Sequence, residues 1–157
     1  MEINKLNIYN NLVKLTRNKN LYFNLKNQDT FSDRLIIFFF HFAFFLKTYK
    51  SELSKNDAQE IFDYIIRQIE LSIREIGYGD VSVNKKMKDY INLFYSILNN
   101  IEQWDNLKIS QKIKLLSEFI NIKDDNQSIV EYIDKYSQFL LKNSLKNFTK
   151  DILEFKF

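Results

Sequence analysis

The segment that decides the fold is Ser72-Ile-Arg-Glu-Ile-Gly77-Tyr-Gly79-Asp-Val-Ser-Val-Asn84-Lys-Lys-Met87, and it contains both glycines of the 157-residue chain. Because glycine adopts left-handed backbone conformations at little steric cost, Gly77 is predicted to end a helix and Gly79 to keep the following turn tight. Asn84 is predicted to cap a new helix whose apolar positions begin at Met87. The sequence therefore predicts two helices that fold back on each other around residues 77–79, the glycine corner.

Apolar residues recur at three- and four-residue steps along nearly the whole chain, which predicts an all-α fold. The chain length and an aromatic content of 16% are sufficient for one core. We therefore expect a single-domain bundle of about six to seven helices spanning residues 1–157. The first two predicted helices span residues 3–17 and about 31–50, the second capped by Thr30. A third helix is capped by Ser54 or Asn56 and ends at Gly77, and a fourth follows Asn84. Two more helices follow the caps Ser110 and Ser128, and the helical pattern continues through Leu145, Phe148, Ile152 and Phe155.

The helix predicted over residues 31–50 carries six phenylalanines between positions 38 and 45. A helix that is apolar around most of its circumference takes a central position among other helices. Six phenylalanines exceed what one buried face needs, so some of them are expected to line a groove. His41 lies in this run, and three interpretations stay open: a packed, hydrogen-bonded histidine, a haem or metal ligand, or a residue at the mouth of a groove.

The residue types required by most catalytic and metal sites are missing. The absence of cysteine excludes disulfides and thiolate metal sites, and one histidine is too few for most zinc sites. Two glycines cannot build a phosphate-binding loop. Asp57, Glu60 and Asp63 share a helix without the histidine partners of a di-iron site, so a solvated helix face is expected. We predict no catalytic residues, no metal and no cofactor.

Charge is unevenly distributed, with eight Lys and Arg against three Asp and Glu in residues 1–50. A basic end suits RNA or lipid headgroups, and no DNA partner is expected. Lys85, Lys86 and Lys88 are predicted in the first helical turn after Asn84, where the helix dipole disfavours cations, so these lysines either contact an acidic partner or are ordinary surface residues.

The longest apolar run, residues 35–46, is shorter than the roughly 20 residues that span a bilayer. The first residues also lack the pattern of a secretory signal. No transmembrane helix and no signal peptide are therefore expected.

The motif from Asp29 to Arg34 and the segment from Ser72 to Asp80 together resemble the ubiquinol-cytochrome c chaperone family. Asp29-Thr-Phe-Ser-Asp-Arg34, with His41 seven residues later, is similar to its opening motif. The segment from Ser72 to Asp80 resembles its central signature, which continues with Val83, Lys86, Met87, Phe94 and Tyr95 at similar spacing. The resemblance extends over nearly the whole chain.

The resemblance implies a non-enzymatic, all-helical assembly factor that binds newly made cytochrome b before it joins the ubiquinol-cytochrome c reductase complex. It also implies a small helical co-chaperone, a position near the ribosome exit and peripheral contact with the cytoplasmic side of a bacterial inner membrane. Residues expected to bind the client or a partner are Phe38, His41, Phe42, Arg74, Tyr78, Asp80, Lys85, Lys86, Lys88, Phe94 and Tyr95. Among these, Arg74 and Asp80 are expected to hold the glycine corner, either as a contact site or as an internal brace.

Two other functions remain open from the sequence. The phenylalanine-rich core with His41 nearby suits a carrier of haem or a quinone. Alternatively, the last helix lies on a lipid surface through Lys142, Lys146 and Lys150 and its apolar face.

Overall fold

The computed structural model describes residues 3–22, 30–121 and 127–150. Within these ranges the chain forms seven α-helices and two short 3-10 helices, with no strand, which confirms the all-α bundle. The helices are α1 (Lys5–Thr16), α2 (Phe31–Thr48), α3 (Lys55–Ile76), α4 (Asp80–Ile101), α5 (Ile109–Phe119), α6 (Gln127–Lys142) and α7 (Leu145–Phe148), and the 3-10 segments are Lys19–Tyr22 and Trp104–Asn106. None of the helices in the described part of the chain is long and apolar enough to cross a bilayer.

Helix α2 is the central element, as its composition predicts. The Thr30 hydroxyl accepts the amide of Asp33 at 3.1 Å and caps the start of α2. Every residue from Ile37 to Phe45 is buried, because α1, α4 and α6 pack around the helix. Each fully buried Phe side chain contributes about 1.5–3 kcal/mol relative to exposure, so this helix supplies much of the driving force for folding.

Helices α3 and α4 form the predicted hairpin. Ser54 caps α3, since its hydroxyl accepts the amide of Asp57 at 3.0 Å. Gly77 ends α3 in the left-handed conformation, with φ of 108°, and its amide bonds to the Arg74 carbonyl at 3.0 Å. The predicted helix end at Gly77 is thus confirmed.

The predicted start of α4 at Asn84 is wrong, because the helix begins at Asp80 and Asn84 lies inside it. Gly79 occupies the capping position with an extended backbone, and Asp80 places a carboxylate in the first turn, where it interacts favourably with the helix dipole. Val83 is fully buried one turn before Met87. The apolar stripe of α4 therefore starts a turn earlier than Met87.

The predicted caps of the last helices are also shifted. Helix α5 begins at Ile109, before Ser110, and α6 begins at Gln127, so Ser128 lies in its first turn. The apolar pattern after Leu140 does not continue α6, because the chain breaks and Ser144 caps the short helix α7. The predicted positions Ile152 and Phe155 lie outside the described residues.

A buried side chain on α1 joins the two ends of the described chain. The Asn11 side-chain amide donates to the Phe148 carbonyl at 2.6 Å and to the Lys150 carbonyl at 2.8 Å. Asn7 donates in the same way to the Thr149 carbonyl at 3.0 Å. These bonds satisfy carbonyls at the end of α7 that the helix itself leaves without a partner.

His41 is the packed, hydrogen-bonded histidine of the first interpretation. Its Nδ1 donates to the Ile37 carbonyl at 2.8 Å, which leaves Nε2 to accept the Tyr132 hydroxyl at 2.6 Å. The Tyr136 hydroxyl donates to the His41 carbonyl at 2.8 Å. Burial lowers the pKa of His41 to about 4, so the ring is neutral near pH 7. The network links α2 to α6 through polar groups inside an otherwise apolar core.

The Gly77→Ala substitution should lower the free energy of unfolding by about 1–2 kcal/mol, because a Cβ at φ of 108° is strained whatever space surrounds it. Urea denaturation followed by circular dichroism measures this. The matched control is Gly79→Ser: the backbone at Gly79 suits a capping serine, so this variant should be as stable as the parent or roughly a few tenths of a kcal/mol more stable. Equal losses in both variants would contradict the assignment.

Stability should also fall as His41 becomes protonated. Its pKa is about 4 in the folded chain and about 6.5 in the unfolded chain, so the unfolded state binds the proton first as the pH falls. The contribution of neutral His41 to the free energy of unfolding is complete above about pH 6.5, and it decreases by about 3 kcal/mol toward pH 4. Urea denaturation between pH 7 and pH 4 measures the loss. The His41→Gln variant lacks this titration and should show a smaller decline, whereas an equal decline would refute the role of His41.

Candidate partner-binding surface at the glycine corner

The glycine corner presents apolar side chains to solvent. Residues 75–82 are all exposed, whereas buried positions recur at intervals along the rest of α3 and α4. Ile76, Tyr78 and Val81 are 53%, 43% and 85% exposed, and we call these three residues the corner patch. Large apolar residues gathered within six positions at a chain reversal are typical of an interaction surface.

Ion pairs brace the backbone beneath the corner patch. Arg74, in the last turn of α3, contacts Asp80 in the first turn of α4 and also Glu70 at 3.3 Å. Arg67 bonds to the same Glu70 at 2.7 Å, and hydrogen bonds from Arg67 and Arg74 lower the pKa of that carboxyl. The structure thus brings Arg74 and Asp80 together across the corner, as expected. Exposed pairs of this kind add little stability, and among them only the Arg74–Asp80 pair joins the two helices.

Positive charge lies beside the corner patch. The Lys86 ammonium lies 4.5 Å from the centroid of the Tyr78 ring, a cation–π contact that orients both side chains. Lys85 and Lys88 are exposed on neighbouring positions of α4. Because α4 begins at Asp80, these lysines lie in its second and third turns, and the predicted position in the first turn is wrong. The dipole argument for an unfavourable location therefore no longer applies.

Most of the aromatic residues expected to face a client lie elsewhere. Phe38, Phe42 and Phe94 are buried, and the Phe42 and Phe94 rings stack with centroids 5.0 Å apart. Tyr95 is 46% exposed and stacks on the ring of Phe62 at 5.6 Å, but it lies about 22 Å along α4 from Asp80 at 1.5 Å per residue. In this structure the four residues do not form one surface, and Tyr95 alone among them is exposed.

Two residues of the corner patch were missed from the sequence. Ile76 follows the apolar periodicity of α3, which predicts that its side chain is buried. No motif or periodicity in the sequence assigned a role to Val81. The last buried position of α3 is Ile73, since the turn after it projects beyond the helices that cover α3. The signal available in the sequence was the position of both residues beside a glycine, where a helix end leaves its packing partners.

Neither a metal site nor a haem site is found among the described residues. No group of acidic or histidine side chains there is arranged to hold a metal ion. Of the acids in the first half of α3, Glu60 lies 4.0 Å from Lys5, and Asp63 accepts a hydrogen bond from Gln59 at 2.8 Å. The cavity beside His41 has a volume of about 20 Å³, enough for a water molecule but not for haem.

Comparisons with known proteins identify the family. A family model described as ubiquinol-cytochrome C chaperone matches residues 23–105, a narrower range than the resemblance noted in the sequence. Neither a search of curated proteins nor a search of solved structures finds a match. The matched range contains α2, α3, α4 and the whole glycine corner, and it covers more than half of the chain. The chain therefore belongs to the ubiquinol-cytochrome C chaperone family.

Proposed function

We propose that this protein is a non-enzymatic chaperone that binds newly synthesised cytochrome b and assists its assembly into the ubiquinol-cytochrome c reductase complex. Family membership supports a chaperone role in the assembly of this complex. The observation that carries the proposal is the corner patch, three exposed apolar side chains on a backbone fixed by ion pairs. A chaperone for a membrane protein needs such a surface, since its client exposes apolar side chains before insertion.

The corner patch suits the end of a client transmembrane helix. Ile76, Tyr78 and Val81 supply apolar contact area, and each side chain that becomes buried on binding contributes about 1 kcal/mol or more. Lys85, Lys86 and Lys88 supply positive charge beside it. The end of a membrane helix combines an apolar surface with polar or charged flanking groups, so both parts of the corner have a counterpart on the client.

The remaining partners belong to the same proposal. A small helical co-chaperone, the ribosome exit region and the cytoplasmic side of the inner membrane are expected from the family resemblance. The exposed Leu141 with Lys142, Lys146 and Lys150 supports peripheral contact with the membrane, because apolar and basic side chains lie on the same part of the chain.

The carrier function receives no support from the geometry around His41. Both ring nitrogens are hydrogen-bonded inside the protein, to Ile37 and Tyr132, and the adjacent cavity is filled by neighbouring side chains down to about 20 Å³. Binding of haem through His41 would require α2 and α6 to separate. The chaperone function needs no such rearrangement.

Deletion of the gene should lower the levels of cytochrome b and of the assembled complex, measured by immunoblot and by native gel electrophoresis. Reintroduction of the parent gene should restore both. Normal levels of cytochrome b and of the complex in the deletion strain would refute the proposed function.

Loss of the corner patch should weaken client binding. The triple variant Ile76→Ser, Tyr78→Ser, Val81→Ser should recover at least about tenfold less cytochrome b in a pull-down, since three apolar contacts are removed. The matched control is Leu6→Ser with Ile109→Ser, because these apolar residues are 53% and 54% exposed on other helices. Similar losses in the two sets would show that the glycine corner is not the client site.

Charge reversal tests the lysines independently. The variant Lys85→Glu, Lys86→Glu, Lys88→Glu should reduce cytochrome b recovery and remove its dependence on salt concentration, because exposed charges act mainly by steering association. The control Lys142→Glu, Lys146→Glu, Lys150→Glu makes the same change of charge in α6, in α7 and just after α7. It should reduce flotation with anionic liposomes and leave cytochrome b recovery unchanged. Unchanged recovery in the α4 variant would remove the lysines from the binding surface.

A further inference from the structure

A groove between α1, α2 and α3 reaches along α3 to Ser72, five residues before Gly77. It has a volume of about 240 Å³ and is lined by residues from all three helices. Its floor is apolar and is formed by Val13, Leu35, Phe38 and Ile69. Its rim carries the guanidinium-bearing residues Arg17 and Arg34, which are both exposed.

The floor offers apolar surface that the described parts of α1, α2 and α3 leave open. The Phe38 ring packs against the rings of Tyr9 and Phe42, with centroids 5.9 and 6.5 Å apart. Leu35 and Ile69 are almost completely buried and present only the part of their surface that faces the groove. A void lined in this way loses dispersion contacts that an apolar ligand would restore.

The rim is polar and mostly cationic. Arg17 follows the last residue of α1, and Arg34 lies in the first turn of α2, so the two positions flank the same opening. Burial raises the pKa of Tyr9, and the nearby Ser72 hydroxyl opposes that shift. Glu75 is the one carboxylate that acts on Tyr9, and the positive charge of Arg17 opposes it. Two guanidinium groups above an apolar floor are complementary to an anionic head on an alkyl chain.

We infer that this groove binds an anionic amphiphile with a single alkyl chain, the chain lying on the floor and a carboxylate or phosphate head lying between Arg17 and Arg34. The groove volume suits a segment of an alkyl chain. It is too small for a partner helix, whose diameter with side chains is about 10–12 Å. An apolar floor also disfavours a nucleotide or a sugar phosphate, whose polar groups would lose their hydrogen bonds to water.

The test uses the full chain and decanoate or decyl phosphate below their micellar concentrations. Isothermal titration calorimetry should show saturable binding of both compounds and at least about fivefold weaker binding of the neutral decyl maltoside, because the charged head contributes through hydrogen bonds to exposed guanidinium groups. Equal affinity for the neutral compound would overturn the role of the arginines.

Two variants locate the site. Arg17→Gln removes a rim charge and should weaken binding of decanoate about fivefold, whereas Lys114→Gln, a matched loss of charge on α5, should leave it unchanged. Val13→Phe fills the floor from the half-buried face of α1 and should abolish binding, with circular dichroism confirming that the variant is folded. Unchanged binding in both groove variants would overturn the inference.

Vesicle flotation distinguishes the source of the ligand. Flotation with phosphatidylglycerol vesicles that is lost in Arg17→Gln would assign the groove to a membrane lipid, and decanoate binding without such flotation would assign it to a free fatty acid. Both outcomes support an anionic amphiphile. Absence of decanoate and decyl phosphate binding, with side chains of residues 23–29 found in the groove by nuclear magnetic resonance, would show that the chain fills its own groove and would overturn the inference.

Discussion

A helix without a polar face must be covered on every side, and the rest of this structure follows from that constraint. Helix α2 is buried continuously from Ile37 to Phe45, which demands neighbours around its whole circumference. Helices α1, α4 and α6 provide them, and the aromatic contacts are correspondingly spread, with Phe44 against Trp104 and Phe45 against Phe148. The surrounding helices are amphipathic because each needs only one face to meet α2.

The glycine corner allows one of these neighbours to reach its place. Helix α3 must end abruptly for α4 to turn back toward α2, and the left-handed conformation of Gly77 permits the reversal within three residues. The same sharp turn leaves the end of the hairpin without a packing partner. Ile76, Tyr78 and Val81 are consequently exposed where the chain does not need them for folding. An available apolar surface and a stable core thus arise from one backbone feature.

The sequence predicted the features that depend on local chemistry. The caps Thr30 and Ser54 could be predicted because capping needs only a hydroxyl and a backbone amide three residues later in the chain. The end of α3 at Gly77 could be predicted for a similarly local reason. Asn84 failed as a cap because burial of Val83, a tertiary effect, extends α4 by a turn. Helical periodicity could not show whether Phe42 and Phe94 face a client, because it does not reveal that their two rings stack on each other. The groove beside Phe38 depends on three helices meeting and has no signal in any one of them.

The hydrogen bonds of Asn11 impose an order on folding during synthesis. Its side chain lies in α1, yet its acceptors are the carbonyls of Phe148 and Lys150, which are synthesised 137 and 139 positions later. Until those carbonyls emerge, a polar amide at a site destined to be dry lacks its partners, a deficit of about 1–3 kcal/mol if it is buried. The contact between α1 and α7 can therefore form its buried hydrogen bonds only after residues 148–150 are available, so we expect it to form late in folding.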